Sequence, residues 1–165
     1  MMFEWPPWLV VAQAEEQLGV AEIEGLKHNP RILLYHDETT LDASTDEVPW
    51  CSSFVNYCLN ECLLGLRGTR SARARSWLEY GVPLEIPPIG AIVILKRGGG
   101  GQPGPEVIDA VGHVGFFVGR TSYGCLAGIE LLGGNQNDRV SVERYPTTRV
   151  LGYRWPKRTN PGGLI

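Results

Sequence analysis

The sequence predicts an α+β domain whose helices come first and whose antiparallel sheet follows. Two patterns carry that expectation. From Cys51 to Leu66, the residues Phe54, Val55, Cys58, Leu59, Cys62, Leu63 and Leu66 recur at steps of three and four, which makes one apolar stripe on a helix. After Pro87-Pro88 that period gives way to short runs rich in β-branched residues, separated by glycines and turn residues. A length of 165 residues suits a single domain, taken as 1–165, and 43% hydrophobic residues suffice for a core. With 21 glycines and 12 prolines the chain reads as loop-rich, yet the glycines follow no period and the composition is not that of a disordered segment.

In chain order, residues 7–19 read as a helix opened by Pro7 and ended by Gly19, with Leu9, Ala12, Ala14 and Leu18 on one face. Residues 20–47 are polar and mixed, with Asn29-Pro30 as a turn and a short helix over Ile32–Tyr35. Pro49 fixes the approach to the main helix, expected over 51–66 with Cys51 at its N-terminus on the buried side. Residues 71–80 predict another short helix, stopped by Gly81. Strands are expected over 91–95, 114–118 and 129–132, then from Val140 and Val142, and finally over 150–155. A flexible loop, Arg97 to Pro105, lies between the first two.

A net charge of −3 without a long basic run argues against nucleic-acid binding. The densest basic stretch, Arg67, Arg70, Arg73 and Arg75, reads as a solvated helix face or loop. The N-terminal run Met-Met-Phe-Glu-Trp-Pro-Pro-Trp-Leu-Val-Val has no basic n-region and soon meets Glu15 and Glu16, so no secretory signal is expected. No stretch approaches the roughly 18 apolar residues of a membrane span, and no membrane insertion is expected. The chain is expected to be made in the cytoplasm and to stay soluble.

Cys51, Cys58, Cys62 and Cys125 lack the spacings of a zinc site, and mostly reduced thiols are expected. Cys58 and Cys62 fall inside the apolar stripe and read as core. Cys125, beside Tyr123 and Gly124, reads as a turn or packing residue. Cys51 differs. A helix N-terminus favours a thiolate through its partial positive charge, and its free N–H groups point where an oxyanion forms. Of the three histidines, His113 follows Gly112 and opens a strand, where an imidazole can face a cleft and take the thiol proton or pair with the thiolate. His28 and His36 lie in the polar N-terminal region and read as solvated. Asn135 ends a strand after Gly133-Gly134, and its side-chain oxygen can orient an imidazole. Chemistry alone leaves Gln136, Asn137 and Asp138 open for that role. Trp50 is read as a wall of the substrate cleft or as core.

These residues carry a resemblance. Pro49-Trp50-Cys51-Ser52-Ser53-Phe54-Val55-Asn56 resembles the nucleophile segment of the CHAP (cysteine, histidine-dependent amidohydrolase/peptidase) and NlpC-like cell-wall hydrolases. Pro88-Ile89-Gly90-Ala91-Ile92-Val93 is similar to the strand before their histidine, and Gly112-His113-Val114-Gly115-Phe116-Phe117-Val118 to the histidine strand itself. Leu132-Gly133-Gly134-Asn135-Gln136, followed by Val140-Ser141-Val142, is similar to their third-residue segment. Together with Leu151-Gly152-Tyr153-Arg154-Trp155-Pro156, the order resembles a subgroup of small phage- and prophage-associated proteins.

The resemblance implies a papain-like fold and hydrolysis of an amide bond in peptidoglycan, with Cys51 as nucleophile, His113 as base and Asn135 as the orienting residue. Many CHAP members carry a glutamate two positions before that asparagine, where this chain has Gly133. The resemblance implies neither a metal nor an organic cofactor. It implies action on the cell wall or periplasm after delivery, as a phage lysin or as an injected antibacterial effector partnered by an immunity protein or delivery machinery. A non-catalytic binding module and a papain-like protease or deamidase acting on proteins are the alternatives.

Overall fold

The structure is a computed structural model describing residues 5–98 and 100–158. Met1 to Glu4, where the N-terminal reading begins, and Gly99 of the glycine-rich loop lie outside the described residues. Helix α1 spans Pro7–Gln17, α2 Pro30–Asp37 and α3 Cys51–Glu61. A 3-10 helix, Ala74–Glu79, precedes the strands β1 (Val82–Leu84), β2 (Ile92–Lys96), β3 (Gly112–Tyr123), β4 (Leu126–Gln136), β5 (Arg139–Pro146) and β6 (Val150–Trp155). The strands form one antiparallel sheet in the order β1-β6-β2-β3-β4-β5. The α+β expectation holds, with helices leading and the sheet following. No helix among the described residues is long and apolar enough to cross a membrane.

Strand alternation divides the sheet into two faces. Ile92, Ile94, Val114, Phe116 and Leu132 pack against the helices, among them Phe54, Val55 and Leu59 of α3. Val93, Leu95, Phe117, Ile129 and Leu131 form a second apolar layer on the other face. Tyr35 of α2 stacks against Trp50, Phe54 and Tyr57 at centroid distances of 5.8, 5.4 and 4.8 Å, which ties α2 to the start of α3. Below this aromatic cluster, buried Glu15 takes two hydrogen bonds from Arg31 and one from the Tyr35 hydroxyl, joining α1 to α2.

Several expectations are corrected. Helix α3 stops at Glu61 instead of Leu66. Leu63 and Gly65 adopt φ of 58° and 66°, which turns the chain, and Leu63 is 92% exposed. The apolar period continues past the helix because Cys62 and Leu66 remain buried without it. Residues 71–80 form no full α-helix. Ser71 Oγ and Thr69 Oγ1 accept the N–H groups of Arg73 and Ser71, holding 69–73 in side-chain turns before the shorter 3-10 helix. Strand β1 has no counterpart among the expected strands. β3 and β4 run far longer than expected because a two-residue turn, Gly124-Cys125, joins them with Gly124 at φ 61°.

His36 is not solvated. It is buried on the side of α2 that faces α3, where Nδ1 meets the Ser53 hydroxyl at 2.9 Å, and burial lowers its pKa. His28 is partly buried and pairs with fully buried Asp46 at 2.9 Å. Arg75 is fully buried rather than part of a solvated face. Its Nη1 donates to the carbonyls of Pro103, Gly104 and Val107 and its Nε to that of Val111. One side chain thereby gathers the long connection between β2 and β3.

Candidate active site

Cys51 opens α3 and is 6% exposed. No side chain caps this helix. The sulfur faces the backbone N–H groups of Val114 and Ser52 and its own N–H, each of which favours the thiolate. The charge of Arg97 acts in the same direction. Burial acts more strongly than all of these, and the thiol is pushed above its ordinary value. Pairing of β3 with β4 begins only at Phe116↔Leu132, so the start of β3 leaves a backbone N–H for the sulfur. That N–H belongs to the residue next to His113. The helix start and the histidine strand are thus neighbours. Cys51, however, packs on the helix side of the sheet, whereas His113 projects with Leu95 from the other side, and the two side chains line different pockets.

Two aromatic side chains and a glycine hold α3 in this position. Trp50 is fully buried, and its indole N–H donates to Glu22 Oε1 at 2.8 Å. A Cβ on Gly134 would come within 2.5 Å of the Trp50 ring and 2.7 Å of Phe54 Cβ. Only glycine lets β4 approach the helix so closely. Trp50 therefore does not wall a substrate cleft. It is core, and it sets where Cys51 lies.

His113 stands opposite Leu95 in the β2–β3 register. Its Nε2 lies 3.0 Å from Gln136 Oε1, and its ring lies 5.6 Å from that of Tyr145. The Gln136 amide is fixed by its own donors, which reach the carbonyls of Leu131 at 3.1 Å and Ser141 at 2.6 Å. The Tyr145 hydroxyl donates to the same Oε1 at 3.0 Å. With Oε1 facing the ring, Nε2 must carry the hydrogen. The lone pair is then on Nδ1, the nitrogen that can accept a proton. Burial, with help from the charges of Arg149 and Arg97, lowers the His113 pKa to about 4 against the opposing effect of Gln136. A thiol raised and an imidazole lowered make a neutral pair at neutral pH, not a thiolate–imidazolium pair.

The orienting residue corrects the expectation. Asn135 makes no hydrogen bond to the imidazole; Gln136 does. A bulge between Gly133 and Gln136 sets three steps of β4 against two of β5, since Gly133 pairs with Ser141 and Gln136 with Arg139. Asn135 takes the extra position at φ 55°. The inserted residue shifts the alternation by one and moves Gln136 onto the face of Leu95 and Leu131, where His113 projects. A Cβ on Gly133 would come within 3.2 Å of Gln136 Oε1. The glutamine side chain thus fills the space a residue at 133 would take. Asn135 instead lines the pocket that holds His113. Gln136 was one of the alternatives the chemistry left open. Tyr145 was not singled out, and only its strand position relative to the bulge marks it.

Two pockets lie here. One is lined by Cys51, Pro49 and the segment Asp109–Gly112, the other by His113, Gln136, Tyr145 and Arg149; Arg97 lines both. Among the described residues, no three His, Cys, Asp or Glu side chains gather as a metal site. Cys58 and Cys62 are buried in the core as expected, and Cys125 is exposed in the β3–β4 turn. The chain matches no protein-family model, no curated protein and no solved structure.

Proposed function

We propose that the chain is a papain-like cysteine amide hydrolase that cuts peptidoglycan, with Cys51 as nucleophile and His113 as base. One observation carries the reading. The sulfur lies at the start of an uncapped helix, against the N–H of the residue next to His113, while Gln136 holds that histidine as the Nε2–H tautomer. The segment order that resembles CHAP and NlpC-like hydrolases supports the substrate class. Gln136, filling the space above Gly133, takes the orienting role that such hydrolases give to a glutamate or asparagine.

The thiol proton passes to His113 Nδ1 as the sulfur attacks the amide carbonyl carbon. The carbonyl oxygen becomes an oxyanion, held by the backbone N–H groups at the start of α3. His113 then gives the proton to the leaving nitrogen, the C–N bond breaks, and a thioester remains. Water, deprotonated by His113, attacks the thioester. The carboxylic acid departs and the proton returns to the sulfur. Because the resting pair is neutral, His113 works as a general base, and its low pKa keeps it unprotonated down to mildly acidic pH. The same chemistry serves a phage lysin or an injected antibacterial effector.

The test is digestion of purified sacculi, read by mass spectrometry of released muropeptides. Wild-type protein is expected to release muropeptides with new amine termini, Cys51→Ala to release none, and His113→Ala to lose at least about 100-fold in rate. Full activity in Cys51→Ala, or intact sacculi after prolonged wild-type digestion, refutes the proposal. The burial of Cys51 favours a second reading, a non-catalytic binding module. That reading expects sluggish alkylation of Cys51 near neutral pH, no faster in wild type than in His113→Ala.

A further inference from the structure

We infer that Arg97 forms an anion subsite beside Cys51, so that the amide substrate carries a carboxylate close to the bond that is cut. The inference rests on the hydrolase reading above and adds to it the charge of the substrate. Arg97 follows β2 directly, is exposed, and lines two pockets, the one holding Cys51 and the one holding His113. A group bound to it within the first pocket lies beside Cys51.

The charge around the cleft runs against that of the whole chain. The two pockets are lined by four arginines and two carboxylates, in a protein of net charge −3. Most of these charges have partners. Asp109 is paired with Arg73, and Arg144 with Glu130 at 3.0 Å. Glu143 accepts from Asn137 and Ser141. Arg149 donates to the Lys96 carbonyl at 3.0 Å, and its guanidinium lies 5.0 Å from the centre of the Tyr145 ring. Among the described residues, Arg97 has neither an ion pair nor a side-chain hydrogen bond. A guanidinium at a cleft rim offers a planar fork of donors that fits a carboxylate with two parallel bonds. Its charge acts on both Cys51 and His113, favouring the thiolate and the neutral imidazole.

A pair of alkylating probes tests this without turnover. Iodoacetate carries the carboxylate and iodoacetamide its neutral counterpart, while Cys125, exposed in the β3–β4 turn, serves as an internal reference in the same molecule. The ratio of iodoacetate to iodoacetamide labelling is expected to be several-fold higher at Cys51 than at Cys125. In Arg97→Gln it should fall to the Cys125 value, and in Arg97→Lys it should be partly retained. N-acetylglutamate should slow labelling of Cys51 more than its neutral diamide, N-acetylglutaminamide, does, in wild type only. Equal ratios at the two cysteines, a ratio unchanged in Arg97→Gln, or no labelling of Cys51 by either reagent overturns the inference. Stronger protection by inorganic phosphate than by N-acetylglutamate overturns the assignment to a carboxylate. Failure of the hydrolase reading shows elsewhere, as intact sacculi, and so remains distinct from failure of the subsite.

Discussion

Replacing Gln136 with leucine removes the His113 acceptor while keeping most of the side-chain volume. The glutamine makes four contacts at once: Oε1 accepts from His113 and Tyr145, and Nε2 donates to the carbonyls of Leu131 and Ser141. Each buried polar group left without a partner costs about 1–3 kcal/mol. His113 Nε2–H is buried and loses its acceptor outright, whereas Ser141 O and the Tyr145 hydroxyl lie nearer solvent. A total of about 3 kcal/mol follows, which lowers the melting temperature by roughly 6–12 °C in a domain of this size. The tautomer changes as well, because nothing then holds the hydrogen on Nε2. Ring-nitrogen chemical shifts of His113 should report a mixture of neutral forms, and calorimetry should report the lost stability. Asn135→Gly is the control, since that side chain hydrogen-bonds neither ring nor amide and glycine keeps the positive φ, and it should leave both readouts close to wild type. A wild-type tautomer and melting temperature in Gln136→Leu, or a larger effect from Asn135→Gly, refutes the assigned role.

The lowered pKa of His113 also governs stability. The unfolded state binds its proton near pH 6.5 and the folded state only near 4, so stability is fully present above 6.5 and falls by about 3 kcal/mol as pH drops to 4. Urea unfolding of His113→Gln across that range should show a flatter dependence than wild type; an unchanged slope contradicts the burial argument. Arg75→Met should free the carbonyls of 103–111, speeding amide hydrogen exchange and proteolytic cutting there at a cost of about 1–3 kcal/mol, and alkylation of Cys51 should quicken; unchanged exchange contradicts the clamp. Glu15→Gln weakens the buried junction of α1 and α2 and leaves Arg31 without its carboxylate, so equilibrium unfolding should show a loss of about 2–3 kcal/mol, and a loss below 0.5 kcal/mol would make the junction incidental.

The order of elements, the helix opened by Cys51 and the strand opened by His113 were legible because each rests on a local period of several residues. The ends of elements were not. Helix α3 continues an apolar stripe in sequence but not in conformation, since burial of Cys62 and Leu66 needs only packing. Arg75 and His36 were misread because their partners lie far along the chain and no local pattern announces a buried cation or imidazole. The sequence does not separate the two roles of Trp50, because it gives the neighbour, the nucleophile candidate, but not the depth of the ring. The difference between Asn135 and Gln136 turns on a single extra residue in a ladder. Such an insertion leaves composition and hydropathy untouched and reverses which side chain faces the histidine. The glycine pair at 133–134 was a sign of that irregularity, since close approach to Trp50 and room for the glutamine amide both demand it.

The four carbonyls gathered by Arg75 separate the connection between β2 and β3 into two parts with different freedoms. From Pro103 onward the path is pinned, and it forms the rim above Cys51. The glycines just upstream, Gly100 and Gly101, meet nothing within 4 Å where a Cβ would project. They act as slack. Added or removed residues there alter the length of rope between two fixed knots and leave the mouth of the cleft where it is, whereas a single residue gained or lost between Pro103 and Val111 would pull the rim out of place.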